Sequence, residues 1–177
     1  DISTRPTLDR VKESLFNIIQ NDIEDTTVLD LFAGSGAIGI EFLSRRAKQV
    51  YFCDKSSKAV AMIEKNLEKT KLKEKAIVYN KDYIDCINTV KNIKFDIIFL
   101  DPPYKEEFAL DAIEKISNLQ LLKDDGIIII ETDEPERDIN RINNMNINYK
   151  IYDLRKYGRV SLIFLKWKGK TWRYLPC

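Results

Sequence analysis

Short apolar runs alternate along this chain with longer segments in which apolar residues recur every three or four positions. The runs are typical of strands, and the last two are nearly continuous in apolar residues, as expected for strands buried on both faces. These runs are Thr27–Phe32, Val50–Cys53, Ala76–Tyr79, Phe95–Leu100 and Gly126–Ile130. They predict five strands of one parallel sheet.

The segments between the runs carry apolar stripes at helical spacing. Asp9–Gln20 precedes the first strand and Ala37–Arg46 follows it. Two further stripes are formed by Val60, Ile63 and Leu67 and by Phe108, Ala112 and Ile116. Strands that alternate with such helices predict a parallel sheet covered by helices on both faces.

The end of the chain has a different pattern. Ile147–Leu154 and Val160–Trp167 read as two strands joined by a short glycine-containing turn at Lys156–Arg159, which predicts an antiparallel hairpin. A mostly parallel seven-stranded α/β sheet closed by such a hairpin is the Rossmann-like pattern of class I S-adenosylmethionine-dependent methyltransferases. In open parallel sheets, ligands bind beyond the carboxyl ends of the strands.

The amino-acid composition limits the catalytic mechanisms that this protein can use. The 177 residues suit one domain, and histidine is absent, which excludes every mechanism built on an imidazole base. The three cysteines have no metal-ligand spacing and no apolar run is long enough to cross a membrane, so we expect a cytoplasmic protein without metal. The net charge of +1 means that any nucleic-acid binding needs a local basic patch.

A glycine-rich turn follows the first strand, in the order G-x-G-x-x-G at Gly34, Gly36 and Gly39. Glycine permits a tight turn and close approach of a ligand, but nicotinamide and flavin enzymes share this pattern, and a turn without ligand also explains it. Asp30, just before the turn, favours a ligand with an ammonium group over one with pyrophosphate, because a carboxylate repels an anion. The alternative for Asp30 is a turn carboxylate that caps backbone amides.

Acidic residues also follow the next two strands. Asp54 can accept hydrogen bonds from the hydroxyls of a ribose, or it can cap the helix that starts near Ser56. Asp82 can accept from the amino group of adenine, and a solvated loop acid explains it about as well.

The fourth strand ends in Asp101-Pro102-Pro103-Tyr104, the most informative segment of the chain. Two prolines make a stiff turn whose carbonyls are free to accept hydrogen bonds. An exocyclic base amine is a poor nucleophile because its lone pair is delocalised into the ring. The Asp101 carboxylate and the Pro102 carbonyl, accepting from that amine, would localise the lone pair, and Tyr104 would stack on the base. The alternative is a rigid turn after a buried strand.

With these residues in place, the chain resembles the RsmD-like family of bacterial methyltransferases, which act on the N2 amine of a guanine in 16S ribosomal RNA. The resemblance runs from about Arg5 to Lys166, and its specific parts are Arg5–Glu13, Leu29–Gly36, Asp101–Tyr104 and Tyr157–Arg159. It implies that S-adenosylmethionine is the cofactor and that Arg5–Thr7 crosses the cofactor cleft. From the residues alone, that stretch is a proline-bearing start of the first helix.

The resemblance and the strand-end residues together give one predicted site. Its catalytic residues are Asp101, Pro102, Pro103 and Tyr104. Its cofactor-binding residues are Thr7, Asp30, Phe32, Ala33, Gly34, Ser35, Gly36, Asp54, Lys55, Asp82 and Tyr83.

The resemblance also bears on domains and partners. We expect one methyltransferase domain over residues 1–168, a tail of unassigned origin over 169–177, and a monomer. Family members usually carry a further amino-terminal segment with glycines and arginines, which this chain lacks, so we expect reduced RNA affinity. The expected partner is ribosomal RNA, free or within an assembling small subunit. The candidate phosphate contacts are Lys105, Arg155, Lys156 and Arg159.

Three other interpretations stay open at this point. A DNA adenine-N6 methyltransferase would use the same four-residue motif, although the chain has no separate DNA-recognition domain. A nicotinamide-dependent oxidoreductase would need the glycine turn to hold pyrophosphate beside Asp30. A non-catalytic RNA-binding module on the same scaffold is the third.

Overall fold

A computed structural model describes residues 5–103 and 107–169, with the side chains of residues 5–7 left out. Seven strands form one sheet in the spatial order β3-β2-β1-β4-β5-β7-β6. The strands are β1 (Thr27–Asp30), β2 (Gln49–Asp54), β3 (Ala76–Asn80), β4 (Phe95–Leu100), β5 (Leu122–Thr132), β6 (Tyr149–Tyr157) and β7 (Val160–Trp167). The first five are parallel, and β7 runs antiparallel to both of its neighbours.

Six α-helices flank the sheet within the described ranges. They are α1 (Arg5–Ile19), α2 (Ala37–Ser44), α3 (Ser57–Thr70), α4 (Tyr83–Thr89), α5 (Phe108–Leu119) and α6 (Pro135–Asn144). The class I methyltransferase fold predicted from the alternation of strands and helices is confirmed, including the seven strands and the closing hairpin.

The apolar strands separate two hydrophobic clusters because successive side chains of a strand point to opposite faces. Ile97 and Phe99 of β4 face a cluster with α1, α2 and α3, whereas Ile98 and Leu100 face a cluster with α4, α5 and α6. All four side chains are buried. Both helical layers therefore depend on the same central strands, which explains why residues 97–100 of β4 and 127–130 of β5 are continuously apolar.

The hairpin brings its turn to the edge of the sheet where the parallel strands end. Thr132, the last residue of β5, pairs with Ser161 at the start of β7, and β6 ends beside it at Tyr157. The turn at Gly158 and Arg159, with Gly158 at φ +61°, thus lies at the carboxyl end of β5.

The structure departs from the sequence pattern in several elements. Helix α4 was not predicted because it has only seven residues, and α6 has few apolar positions. Strand β5 begins at Leu122, before the predicted Gly126, because Phe95 of β4 pairs with Leu122 even though the residues between are polar. Strand β1 ends at Asp30 rather than at the predicted Phe32, since the chain turns there toward the glycines.

Two findings concern metal and membrane. Over residues 5–103 and 107–169, no group of three or more His, Cys, Asp or Glu side chains could hold a metal ion. No helix in those ranges has the length and apolar character needed to cross a bilayer. Cys53 and Cys86 are buried free thiols.

Candidate active site

The glycine turn between β1 and α2 has a backbone that side chains would disturb. Gly34 and Gly36 have φ values of +57° and +83°, a region that favours glycine. A Cβ at Gly34 would meet no atom within 4 Å, so the space beside this glycine is open. Gly39 differs, because its Cβ would come within 2.2 Å of the Phe52 ring. The first two glycines therefore shape an open turn, and the third allows α2 to pack on β2.

Asp54 holds this turn from the end of β2. One of its carboxylate oxygens accepts a hydrogen bond from Gly34 N at 2.9 Å, and the other accepts from Ser56 N at 2.9 Å. The cap of α3 is Ser56, whose hydroxyl accepts from Ala59 N at 3.3 Å. The helix-cap alternative for Asp54 is therefore wrong, and its carboxylate lies directly beside the glycine turn.

Asp30 is buried beneath the same turn without a well-formed hydrogen bond. Its side chain is 1% exposed, and the backbone N–H of Gly39 lies near the carboxylate without forming a hydrogen bond of good geometry. Burial, with the nearby Asp54 and Glu131 carboxyls, raises the pKa of Asp30 to about 7, and the backbone N–H of Gly39 limits the rise. The nearby Gly39 N–H gives the capping alternative for Asp30 some support, but it leaves the carboxylate without a well-formed hydrogen bond.

A buried carboxylate without a well-formed hydrogen bond is costly, and a ligand that brings a donor relieves that cost. An ammonium group meets this need with a charge-assisted hydrogen bond. The open turn at Gly34 and the carboxylate of Asp54 add space and an acceptor next to Asp30. The residues present therefore fit S-adenosylmethionine, which carries an ammonium group and no phosphate.

The other predicted cofactor residues lie at the ends of the neighbouring strands. Asp82 caps α4, accepting from Asp85 N at 2.8 Å, so it is a helix cap rather than a solvated loop acid. The ring of Tyr83 lies 5.5 Å from that of Phe32 and donates its hydroxyl hydrogen to Asp111 at 2.6 Å. The side chain of Lys55 is exposed. Backbone hydrogen bonds tie these ends together, from Ala33 N to Cys53 O and from Lys81 N to Asp54 O.

Asp101 directly follows β4 and lies beside Glu131 of β5. The preceding residues, Leu100 and Ile130, are partners in the parallel register, so the next two side chains come together. The carboxyl groups of Asp101 and Glu131 lie close enough to share a proton. Loss of hydration raises the pKa of Asp101, and the nearby Glu131 and Asp30 carboxyls also raise it. Part of the Asp101 side chain remains accessible from the cleft. Loss of hydration also raises the pKa of Glu131.

A cavity opens at this carboxyl pair. The polar and apolar side chains that line it include Asp101, Pro102, Pro103, Glu131, Arg137 and Val160. Pro102 is half-buried and Pro103 is exposed. The cavity therefore brings together the carboxylate and the diproline turn that the sequence predicted for an amine, and adds the end of β5.

A buried network fixes the end of β5 next to this cavity. Thr132 donates its hydroxyl hydrogen to Asp138 and accepts from Glu134 N at 3.0 Å. Arg137 Nε donates to the other oxygen of Asp138 at 3.1 Å. Sequence reasoning missed Glu131, Thr132 and Asp138. Ligands bind beyond the carboxyl ends of parallel strands, and this rule identifies Glu131 when it is extended to the fifth predicted strand.

Three predicted residues fall outside this description. Tyr104 and Lys105 lie outside the described residues, and so does the side chain of Thr7. Helix α1 begins at Arg5, which agrees with a proline-bearing start of the first helix. The roles of Thr7 and Tyr104 stay predictions.

The glycine turn and the diproline turn follow adjacent parallel strands and lie at the same edge of the sheet. Leu31 N donates to Phe99 O at 3.2 Å across β1 and β4, and Asp30 is close enough to raise the pKa of Asp101. The two turns, with Asp30 and Asp101 beside them, are thus neighbours in this fold. Fold and site together define the class of protein, an S-adenosylmethionine-dependent methyltransferase of class I.

Comparison with known proteins gives the family within that class. The family described as Conserved hypothetical protein 95 matches residues 1–166. The chain is 42% identical over 133 residues to the putative rRNA methyltransferase YlbH of Bacillus subtilis, covering 74% of this chain and 72% of that protein. It is 40% identical over 132 residues to ribosomal RNA small subunit methyltransferase D of Haemophilus influenzae, covering 73% and 68%. The chain belongs to this RsmD-like family.

A solved structure agrees. The putative methyltransferase yhhF from Escherichia coli superimposes with a TM-score of 0.76 at 27% identity, covering 90% of this chain and 86% of that one. The nicotinamide-dependent alternative loses its support, because the relatives are methyltransferases and Asp30 lies where a pyrophosphate would be repelled.

Proposed function

We propose that this methyltransferase modifies the exocyclic N2 amine of a guanine in 16S ribosomal RNA. One observation carries the proposal. Asp101 and Pro102 line a cavity, and Asp30, at the end of β1, lies close to Asp101. Relatives at 40% and 42% identity are named as ribosomal RNA methyltransferases, which supports this substrate class. The protein is proposed to act as a cytoplasmic monomer on RNA that is free or in an assembling small subunit.

The cofactor would be held by residues at the ends of β1, β2 and β3. Asp30 would accept from its ammonium group, Asp54 from its ribose hydroxyls and Asp82 from its adenine amino group. The open space beside Gly34 lets the ligand approach the backbone. When bound, S-adenosylmethionine supplies a methyl group on a positively charged sulfur.

Asp101 and Pro102 prepare the amine for attack. The Asp101 carboxylate and the Pro102 carbonyl each accept from one amine hydrogen, which draws the nitrogen toward tetrahedral geometry. Because Asp101 has a raised pKa, its carboxylate is also a suitable acceptor for the proton that the amine loses after transfer. In-line placement of the amine, together with these acceptors, needs neither histidine nor metal.

Positively charged side chains beside the hairpin turn lie at the same edge of the sheet as the proposed base pocket, where they would contact RNA. Lys156 and Arg159 are exposed, and no ion pair among the described residues involves either of them. Arg155 differs, because its guanidinium is paired with Asp153 at 3.1 Å. We therefore assign phosphate contact to Lys156 and Arg159 in preference to Arg155.

The experiment measures transfer of a labelled methyl group to ribosomal RNA from cells that lack this protein. We expect Asp101→Ala to abolish transfer while calorimetry shows unchanged binding of S-adenosylmethionine, because Asp101 contacts the amine and not the cofactor. Asp124→Ala, an exposed position at the other end of β5, is the matched control and should transfer normally.

Two outcomes would overturn the proposal. One is transfer by the Asp101→Ala variant at the rate of the control. The other is a product that, after digestion and mass spectrometry, contains N6-methyladenine instead of N2-methylguanine.

A further inference from the structure

Glu131 is an acidic residue at the proposed base pocket, and it has no role in the mechanism described above. It lies at the end of β5, half-buried, next to Asp101 in the register of the sheet. It lines the same cavity as Asp101 and Pro102, and its carboxyl group lies close to that of Asp101. No ion pair among the described residues involves Glu131, so no cation within that part of the chain accounts for it.

The surroundings of Glu131 hold it in place. The next residue, Thr132, is 8% exposed and is fixed on both sides by Asp138 and by Glu134 N. Asp30 at the end of β1 lies close to the pair, and the other charged residues that line the cavity are Glu107, Asp133, Arg137 and Asp138. These contacts fix the backbone at the end of β5, so Glu131 is presented to the pocket from a rigid position.

The hydrogen-bonding pattern of purines indicates which base the Glu131 carboxylate would recognise. Guanine presents two adjacent donors, N1–H and the N2 amine, whereas adenine presents an unprotonated N1 beside its amine. An ionised carboxylate only accepts hydrogen bonds, so it matches N1–H and is repelled by a bare N1 lone pair. Asp101 and Pro102 account for the amine, which leaves N1–H for the neighbouring acceptor.

We propose that Glu131 accepts the N1–H of the target guanine and thereby selects guanine over purines whose N1 carries no hydrogen. The proposal rests on the proposed function, because it needs a guanine amine at Asp101. In the absence of RNA, the Asp101 and Glu131 carboxyl groups share a proton. Binding of the base releases this proton to solvent, and Glu131 then accepts from N1–H while Asp101 accepts from N2–H.

The test compares two RNAs that differ only at the methylated position, one with guanine and one with 2-aminopurine. The second base keeps the amine but has an unprotonated N1. RNA made by splinted ligation carries either base, and kcat and KM are measured for the wild type, Glu131→Gln and Glu131→Ala. Glu136→Gln, an exposed position on α6, is the matched control.

We expect the wild type and the control to prefer guanine strongly, since a site built for a donor rejects a base that lacks it. Glu131→Gln should lower this preference by about 10- to 100-fold, because its amide can donate to the bare N1. Binding of S-adenosylmethionine should stay unchanged in both Glu131 variants.

The outcomes separate the two proposals. If the wild type methylates the guanine RNA and the Glu131 variants slow both RNAs equally, Glu131 only positions Asp101 and the inference is wrong. If the wild type leaves the guanine amine unmodified, the proposed function fails and takes the inference with it.

Discussion

Asp30 shows how a single residue can lower stability in favour of binding. Its carboxylate is buried without a well-formed hydrogen bond, and its pKa is raised to about 7. The folded protein therefore holds a proton that the unfolded chain loses near its ordinary pKa of 3.8. Stability is unaffected by Asp30 below about pH 4, falls as the pH rises toward 7, and stays lowered above it.

The variant Asp30→Asn removes this cost. We expect it to raise the free energy of unfolding at pH 8 by up to about 4 kcal/mol, at about 1.4 kcal/mol per unit of pKa, and to change it little at pH 4. Urea unfolding at the two pH values measures the difference. The same variant should bind S-adenosylmethionine more weakly at pH 8, because it lacks the charge that faces the ammonium group. Equal stabilisation at both pH values would show that Asp30 is not protonated in the folded protein.

At the scale of elements, the contact between α2 and β2 sets the position of the glycine turn. Gly39 lets the helix lie against Phe52, which is completely buried. The third glycine of the turn thus acts through packing, while the first two act through their backbone conformation.

Gly39→Ala tests this packing role. Although alanine favours a helix, its Cβ would lie 2.2 Å from the Phe52 ring, so we expect a net loss of about 1–3 kcal/mol. Thermal and urea unfolding measure it. Adding Phe52→Leu should recover part of the loss, and a double-mutant cycle with no coupling would show that the two side chains do not meet.

The hairpin turn is the element to which we assign RNA contact. Replacing Lys156 and Arg159 together by alanine should weaken RNA binding for every sequence and lower the slope of log K against log salt by about one to two. Binding measured at several salt concentrations gives that slope. The control replaces Lys65 and Lys69, which are exposed on α3. A slope that falls equally in the control would place the contact elsewhere.

At the scale of the whole molecule, two helical layers share one sheet. Ile98 belongs to the cluster with α4, α5 and α6, and Ile129 to the cluster with α1, α2 and α3, yet both lie on neighbouring central strands. Neither layer can lose its cluster without exposing the strands that support the other.

We therefore expect the protein to unfold in one step. Ile98→Ala and Ile129→Ala should each cost about 2–5 kcal/mol, and each should shift the whole transition. Far-ultraviolet circular dichroism and tryptophan fluorescence should give coincident curves. Two separate transitions in either variant would mean that the layers unfold independently.

Much of this architecture could be predicted because it rests on local patterns. Alternating apolar runs and helical stripes predicted five parallel strands and the hairpin, and all of these strands form. The pattern failed at α4, which is stabilised by the Asp82 cap and by packing rather than by a long apolar stripe. The pattern could have indicated Glu131, which directly follows the predicted fifth strand, but not its contact with Asp101, which depends on the register of β4 and β5.

By itself, the sequence determined the order of elements, the glycine turn and the diproline turn, since these follow from backbone preferences and the spacing of apolar residues. Only the tertiary structure decided which carboxylates meet. Strand order and register bury Asp30 without a well-formed hydrogen bond, place Asp54 on Gly34 and join Asp101 to Glu131. These contacts link residues that are distant along the chain, so no local pattern contains them.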